Sequence, residues 1–137
     1  MAVVVFDADV LIGFLNAADA HHADAVAIVR GALAAPNTRR LLSAVNYSEI
    51  LIGPIRAGRK ARDQVDAMLG HFAIEIITVD GALARRAAAV RARTGLKLPE
   101  AYALATAVHA EHRGYADVSL ATFDEAALKA HAELHPD

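Results

Sequence analysis

The chain contains no cysteine and no tryptophan, and only 5% of its residues are aromatic. Without thiols there is no disulfide framework, no thiolate metal site and no cysteine nucleophile. The few Phe and Tyr are scattered, so no aromatic platform for stacking bases is legible. Positive charge is not in excess either: 14 Lys and Arg against 16 Asp and Glu leave a formal net charge of −2. No global field then draws the protein to nucleic acid, and any such binding falls to local patches. The glycines are dispersed, and no Gly-Lys-Ser/Thr follows a strand, so there is no phosphate-cradling loop. No apolar run approaches the roughly 18 residues of a membrane span. No basic stretch followed by a signal-length apolar run opens the chain. A soluble cytoplasmic protein is the expectation.

What is present is apolar: 55% of 137 residues. This length suits one domain, residues 1–137, around one sizeable core. The apolar surplus predicts a surface covered by another chain, with a homodimer as the first candidate. Val3–Phe6, "RRLLSAV", "IEIITV" and "VSLAT" read as short buried strands. Helical patterns fill the intervals. Val10–Ala17 is expected to start at an Asp9 cap, and "NYSEILIG" at Asn46, with Gly53-Pro54 breaking or kinking it. Pro99 opens and Gly114 closes another helix. Short apolar strands alternating with longer helices predict an α/β fold with a mostly parallel sheet of about four strands.

Mapping the carboxylates onto these elements gives the functional signal. Asp7 sits just past the first strand and Asp124 just past the last. Glu49 falls in the first turn of the helix after "LLSAV", and Glu100 follows Pro99 at another helix start. Parallel α/β sheets bind ligands outside the carboxyl ends of their strands, which places Asp7 and Asp124 on one rim. Each acid also has a structural reading. Asn46-x-x-Glu49 and Thr122-x-x-Glu125 have the form of capping boxes, and Glu100 suits a helix N-terminus. Capping does not explain why four acids should converge. Convergent carboxylates stay ionised together only if a cation compensates them. All-oxygen ligands suit Mg²⁺ or Mn²⁺, and up to two such ions can promote in-line attack on a phosphodiester.

Four segments resemble the motifs of the PIN-domain family, in order: "VVVFDADVLIGFL", "SAVNYSEILIG", "LKLPEAYALATAVHAEHRG" and "VSLATFDEAAL". Single-domain members of this length resemble VapC-type toxins of bacterial toxin–antitoxin pairs. The resemblance implies a three-layer α/β sandwich and a Mg²⁺- or Mn²⁺-dependent ribonuclease silenced by a VapB-like antitoxin. It makes Asp7, Glu49, Glu100 and Asp124 the catalytic, metal-ligating quartet. Thr122 becomes a hydroxyl that orients a carboxylate or phosphate, and Asp9 a supporting acid or merely the helix cap. Two departures stand out: Glu100 replaces the usual Asp, and Ala8 a frequent Thr. The resemblance also implies a homodimer, and an antitoxin groove with one wall in "NYSEILIGPIRAGRKARDQV".

Arg56, Arg59, Lys60 and Arg62 lie in one basic stretch; Arg85, Arg86, Arg91, Arg93 and Lys97 lie in another. Arg56, Arg59, Lys60, Arg85 and Arg86 are the candidates for RNA phosphate contact; a solvated helix face reads equally well. The seven histidines are read as structural or solvated. His131 and His135 share helical spacing but lack a zincin's Glu, and His109-x-x-His112 lacks a third ligand. Ser43 has no nucleophile-elbow pattern. Asp7-Ala8-Asp9 also resembles the opening of haloacid-dehalogenase-type phosphatases, and Asp80 a receiver phosphoacceptor, but neither finds its partner Lys. A PIN fold that binds RNA or protein without cleaving, on account of Glu100, stays open.

Overall fold

The computed structural model describes residues 1–134. Its elements are β1 (Ala2–Phe6), α1 (Ala8–Leu15), α2 (His22–Ala34), β2 (Thr38–Ser43), α3 (Ala44–Ala57) and α4 (Arg59–His71). They continue as β3 (Ile74–Ile77), α5 (Gly81–Thr94), α6 (Leu98–His112), β4 (Asp117–Ala121) and α7 (Glu125–Glu133). The strands pair in parallel in the order β3-β2-β1-β4, as the alternation of strand and helix patterns predicts. Among the described residues no helix is long and apolar enough to cross a membrane.

Alternation along each strand sends successive side chains to opposite faces. Val3, Val5 and Leu41 pack with Leu83, Val90 and Leu104 of α5 and α6 and with Ala127 of α7. Phe6 and Leu42 instead join Leu11, Val29, Ile50 and Val65 from α1 to α4. The result is helix, sheet, helix: three layers and two apolar clusters. Small residues set the spacing of the first cluster. Ala101, Ala103, Ala105 and Ala107 of α6 are fully buried, so this helix lies close on the sheet with no room for longer side chains. On the other face, a Cβ at Gly13 would stand 3.2 Å from that of Ala25, so glycine lets α1 approach α2.

Four helix boundaries differ from the sequence reading. Asp7, not Asp9, is the N-cap of α1: its backbone is extended (ψ 157°) and its carboxylate accepts from the Ala8 N–H, while Asp9 is already helical. Ser43 caps α3, three residues before the expected Asn46, and accepts from the Asn46 N–H. Asp124 caps α7, in place of a Thr122 box. Finally, α3 does not end at Gly53-Pro54. It runs to Ala57, because Pro54 forfeits only its own donor and the Gly58 N–H closes the last turn on the Pro54 carbonyl. Gly58 then adopts φ 130°, a value that favours glycine, and leads straight into α4.

The tight seat of α6 is testable by overpacking. Ala105→Leu is expected to destabilise the protein by about 1–3 kcal/mol. Urea denaturation should show a lower midpoint; an unchanged midpoint would mean that α6 has slack against the sheet.

Candidate functional site

β1 and β4 leave the sheet side by side, with Phe6 opposite Ala121. The chain then departs toward opposite faces: α1 joins one apolar cluster and α7 the other. Such a divergence opens a crevice at the carboxyl rim of a parallel sheet. The acids converge there.

Asp7 is 4% exposed. Its N–H donates to the Ala121 carbonyl at 2.9 Å. Its Oδ1 accepts from the Ala8 N–H at 2.8 Å, and its Oδ2 from the Thr122 hydroxyl at 2.9 Å. The same hydroxyl lies 3.2 Å from Asp9 Oδ2, which also accepts from the Phe123 N–H at 2.9 Å. Thr122 has one proton for two carboxylates, and its oxygen accepts in turn from the Asp124 N–H at 3.1 Å. In place of the cap expected of it, Asp9 ties α1 to the segment that follows β4. Asp124 caps α7, accepting from the Ala127 N–H at 3.1 Å.

Glu49 stands in the second turn of α3 and is positioned by a residue the sequence reading took for a cap. Asn46 is fully buried. Its Nδ2 donates to Glu49 Oε1 and to the Pro99 carbonyl, both at 3.0 Å, while its Oδ1 accepts from the Ser43 hydroxyl at 3.1 Å. One amide thus links Glu49 to the turn that carries Glu100.

The charges form a connected series. Asp7 has its pKa raised to about 7 by burial first, then by repulsion from Asp9 and from Glu49, against the lowering effect of its hydrogen bonds. Asp9 is raised by burial, with Asp124 repelling it. Glu100 is raised by burial, by repulsion from Asp124 and by a hydrogen bond with it, while Lys97 opposes the shift. The four sequence-predicted acids and Asp9 thus share one electrostatic neighbourhood. Asp9, Glu100 and Asp124 line a cleft of about 320 Å³ together with Ile12, Asp19, His21 and Phe123.

The basic candidates stand elsewhere. Arg56 ends α3, Arg59 and Lys60 open α4, and Arg85 and Arg86 lie on α5; none of them lines the cleft. Sequence reasoning missed two of its ring-bearing walls. The His21 and Phe123 rings stack with centroids 4.7 Å apart and planes at 21°. No local pattern signals this pair, since its members come from distant parts of the chain. Two other histidines have structural partners: His131 pairs with Glu111 inside the α6–α7 contact, and His22 Nδ1 bonds the Gly13 carbonyl at 2.8 Å. His135 lies outside the described residues.

The donor set suits an oxygen-ligated divalent cation. The acids are all carboxylates, and Asp9 Oδ1 is buried with no hydrogen-bond partner. An orphaned carboxylate oxygen of this kind is costly unless a cation meets it. Among the described residues, no three Asp, Glu, His or Cys side chains stand in a ready-made metal-holding group; ligation requires the acids to close further.

A family model for the PIN domain matches residues 4–134. The chain belongs to the PIN-domain family. Its Asp-x-Asp opening is thus the start of this fold and not of a dehalogenase-type phosphatase, and Asp80, read as a receiver phosphoacceptor, is the N-cap of α5. Among solved structures, a toxin–antitoxin complex from Klebsiella pneumoniae contains a chain 26% identical, with a TM-score of 0.61; the match covers 90% of this chain and 87% of that one. VapBC2 from Rickettsia felis, bound to a DNA fragment from its promoter, shares the fold at 14% identity and a TM-score of 0.54, over 89% of this chain and 99% of that one. No curated protein matches the chain.

The raised pKa of Asp7 has a measurable consequence. Its folded value of about 7 lies above the ordinary aspartate value of 3.8, so the folded state binds the proton more tightly. Stability should therefore fall as pH rises between these values. The full penalty, roughly 4 kcal/mol at about 1.4 kcal/mol per pH unit, applies above pH 7. Asp7→Asn keeps the cap and removes the charge. In EDTA at about pH 8 this PIN-domain variant should melt higher than wild type, and the gap should close toward about pH 4. Added Mg²⁺ or Mn²⁺ should raise the wild-type Tm and leave the variant unmoved. Equal responses of both proteins to metal would argue against Asp7 as a ligand.

Proposed function

We propose that the chain is a Mg²⁺- or Mn²⁺-dependent endoribonuclease of the VapC toxin type, held inactive by a VapB-like antitoxin. The observation that carries this reading is the meeting of Asp7, Asp9, Glu49, Glu100 and Asp124 at one sheet rim, with a raised Asp7 and an unpartnered Asp9 oxygen. Family membership and the likeness to a chain of a toxin–antitoxin complex give the site its context.

Asp7, Glu49 and Asp124 are the proposed ligands of the principal divalent ion, and Glu100 assists a second. Bound there, the ions would supply positive charge and Lewis acidity for hydrolysis of an RNA phosphodiester. The chain's own residues set the stage for this. Thr122 orients Asp7 and Asp9 through its shared proton, and Asn46 aims Glu49. Asp124 is fixed by its cap bond to α7. Glu100, one methylene longer than Asp, already reaches Asp124. The exposed Ile52 and Ile55 of α3, with Ile12 and Leu15 of α1, offer apolar surface for an antitoxin or for a second copy in a homodimer. Arg56, Arg59, Lys60, Arg85 and Arg86 remain proposed backbone-phosphate contacts outside the cleft.

Purified protein incubated with total RNA and Mn²⁺ should produce discrete cleavage fragments, and EDTA should abolish them. Asp7→Asn should reduce the rate at least about a hundredfold, the scale on which loss of one charge-stabilising group acts. Cleavage that survives either treatment would sink the mechanism. Glu100→Asp should retain activity within about tenfold. An inert wild type with an active Glu100→Asp variant would instead identify a binding module disabled at that residue.

A further inference from the structure

The first turn of α6 carries Glu100 into the acidic site. The far end of the same helix is cationic, and a second cavity lies there. It has a volume of about 180 Å³ and is lined by Arg39, Leu41, Ile77, His109, Arg113 and Tyr115, from β2, β3, the end of α6 and the turn before β4. It shares no lining residue with the acidic cleft. A helix C-terminus favours cations, which accounts for His109 and Arg113. It does not account for Arg39 and Tyr115, which reach the same cavity from outside the helix. Both are held in place. Arg39 donates to Glu75 from Nε at 2.9 Å and from Nη2 at 2.7 Å, and from Nη1 to the Tyr115 hydroxyl at 2.7 Å. These bonds use three of the five guanidinium donors. The Tyr115 N–H donates back to the Ala110 carbonyl at 3.3 Å, and the Arg39 guanidinium lies 5.6 Å from the centre of the Tyr115 ring.

The positive charge here is only partly offset. Glu75 answers Arg39, but Arg113 has no ion pair among the described residues. His109 responds to the field: its pKa is lowered by burial first, then by Arg86 of α5 and by Arg113, with His112 adding to them and Asp80 opposing. We propose that this cavity is a binding site for the phosphate group of a small molecule. A carboxylate can be met by one guanidinium fork. Here the donors stand on separate elements, an arrangement suited to an anion that accepts from several directions, and arginine is well matched to phosphate. Leu41 and Ile77 supply apolar lining for carbon atoms attached to that group. The volume falls below the roughly 300–1,000 Å³ of sites for drug-sized ligands, so the ligand is small. No metal and none of the acids takes part, so the site stands whether or not the chain cleaves RNA.

The test follows backbone and histidine NMR signals of the full chain as ribose 5-phosphate, inorganic phosphate or ribose is added. EDTA is present throughout, which keeps divalent ions from carrying phosphate to the acids. Either phosphate compound should give saturable shifts at millimolar concentration, centred on His109, Arg113 and Tyr115, and ribose should give none. Tighter binding of ribose 5-phosphate identifies a phosphate monoester as the ligand; equal binding identifies the free ion. Arg113 is exposed, so Arg113→Gln should leave Tm little changed while weakening binding at least about tenfold, the scale of one hydrogen bond to a charged group. Arg30→Gln removes the same charge from an exposed position on α2, which packs on the opposite face of the sheet. It should leave the affinity unchanged. Equal losses in Arg30→Gln and Arg113→Gln would reduce the effect to general charge attraction and overturn the site. Wild-type affinity in Arg113→Gln, shifts centred on the acidic cleft, or no shifts with either phosphate compound would overturn it as well.

Discussion

Repulsion between carboxylates is the constraint on which the site depends. Five acids gather where β1 and β4 diverge, and the burial of Asp7 strips away water that would screen its charge from theirs. The fold offsets part of this cost with backbone. α1, α3 and α7 all begin at this rim, directly after the strands that feed them, and α6 brings its first turn to it through Asn46 and Pro99. Each helix start carries a partial positive charge of roughly half a unit. Asp7 and Asp124 take two of these ends as N-caps, and Glu100 sits in the first turn of a third. The remainder is uncompensated, as the high proton affinity of Asp7 and the orphaned oxygen of Asp9 record. A cation would complete a balance that peptide dipoles only begin.

The sheet makes this concentration of charge mechanically tolerable. Parallel strands packed on both faces leave the rim little freedom to spread. The alanine surface of α6 brings that helix close to β1, so Glu100 is carried by an element that cannot drift outward cheaply. Thr122 is the junction of the arrangement. It follows the edge strand β4 directly, and through one hydroxyl it meets the caps of the first and last helices, Asp7 and Asp124, and the first helix's Asp9.

The strand and helix order was legible because each strand is a short apolar run and each helix a longer periodic one. The placement of Asp7 and Asp124 followed from the same pattern, since both stand immediately after strands. Glu49 and Glu100 needed the family resemblance, because helix starts do not declare which rim they face. The helix boundaries were misread for a local reason. Asp7 and Asp9 are both acceptable caps in composition, and only the extended backbone at Asp7 decides between them. Asn46 likewise has a cap's chemistry, but Ser43 precedes it and frees its amide for longer-range work. The His21–Phe123 stack was illegible because it is made by tertiary folding, between residues with no spacing in common.

The Asn46 amide has a consequence for how this chain can change over generations. Its three side-chain bonds reach Ser43, Glu49 and the Pro99 carbonyl. Replacing this residue would remove a bond from a hydroxyl, a carboxylate and a main-chain oxygen at once, across two different helices. No single second mutation repairs all three losses. A change at this fully buried amide therefore disturbs two helices at once, whereas a change at half-buried Glu49 or Glu100 acts on one carboxylate.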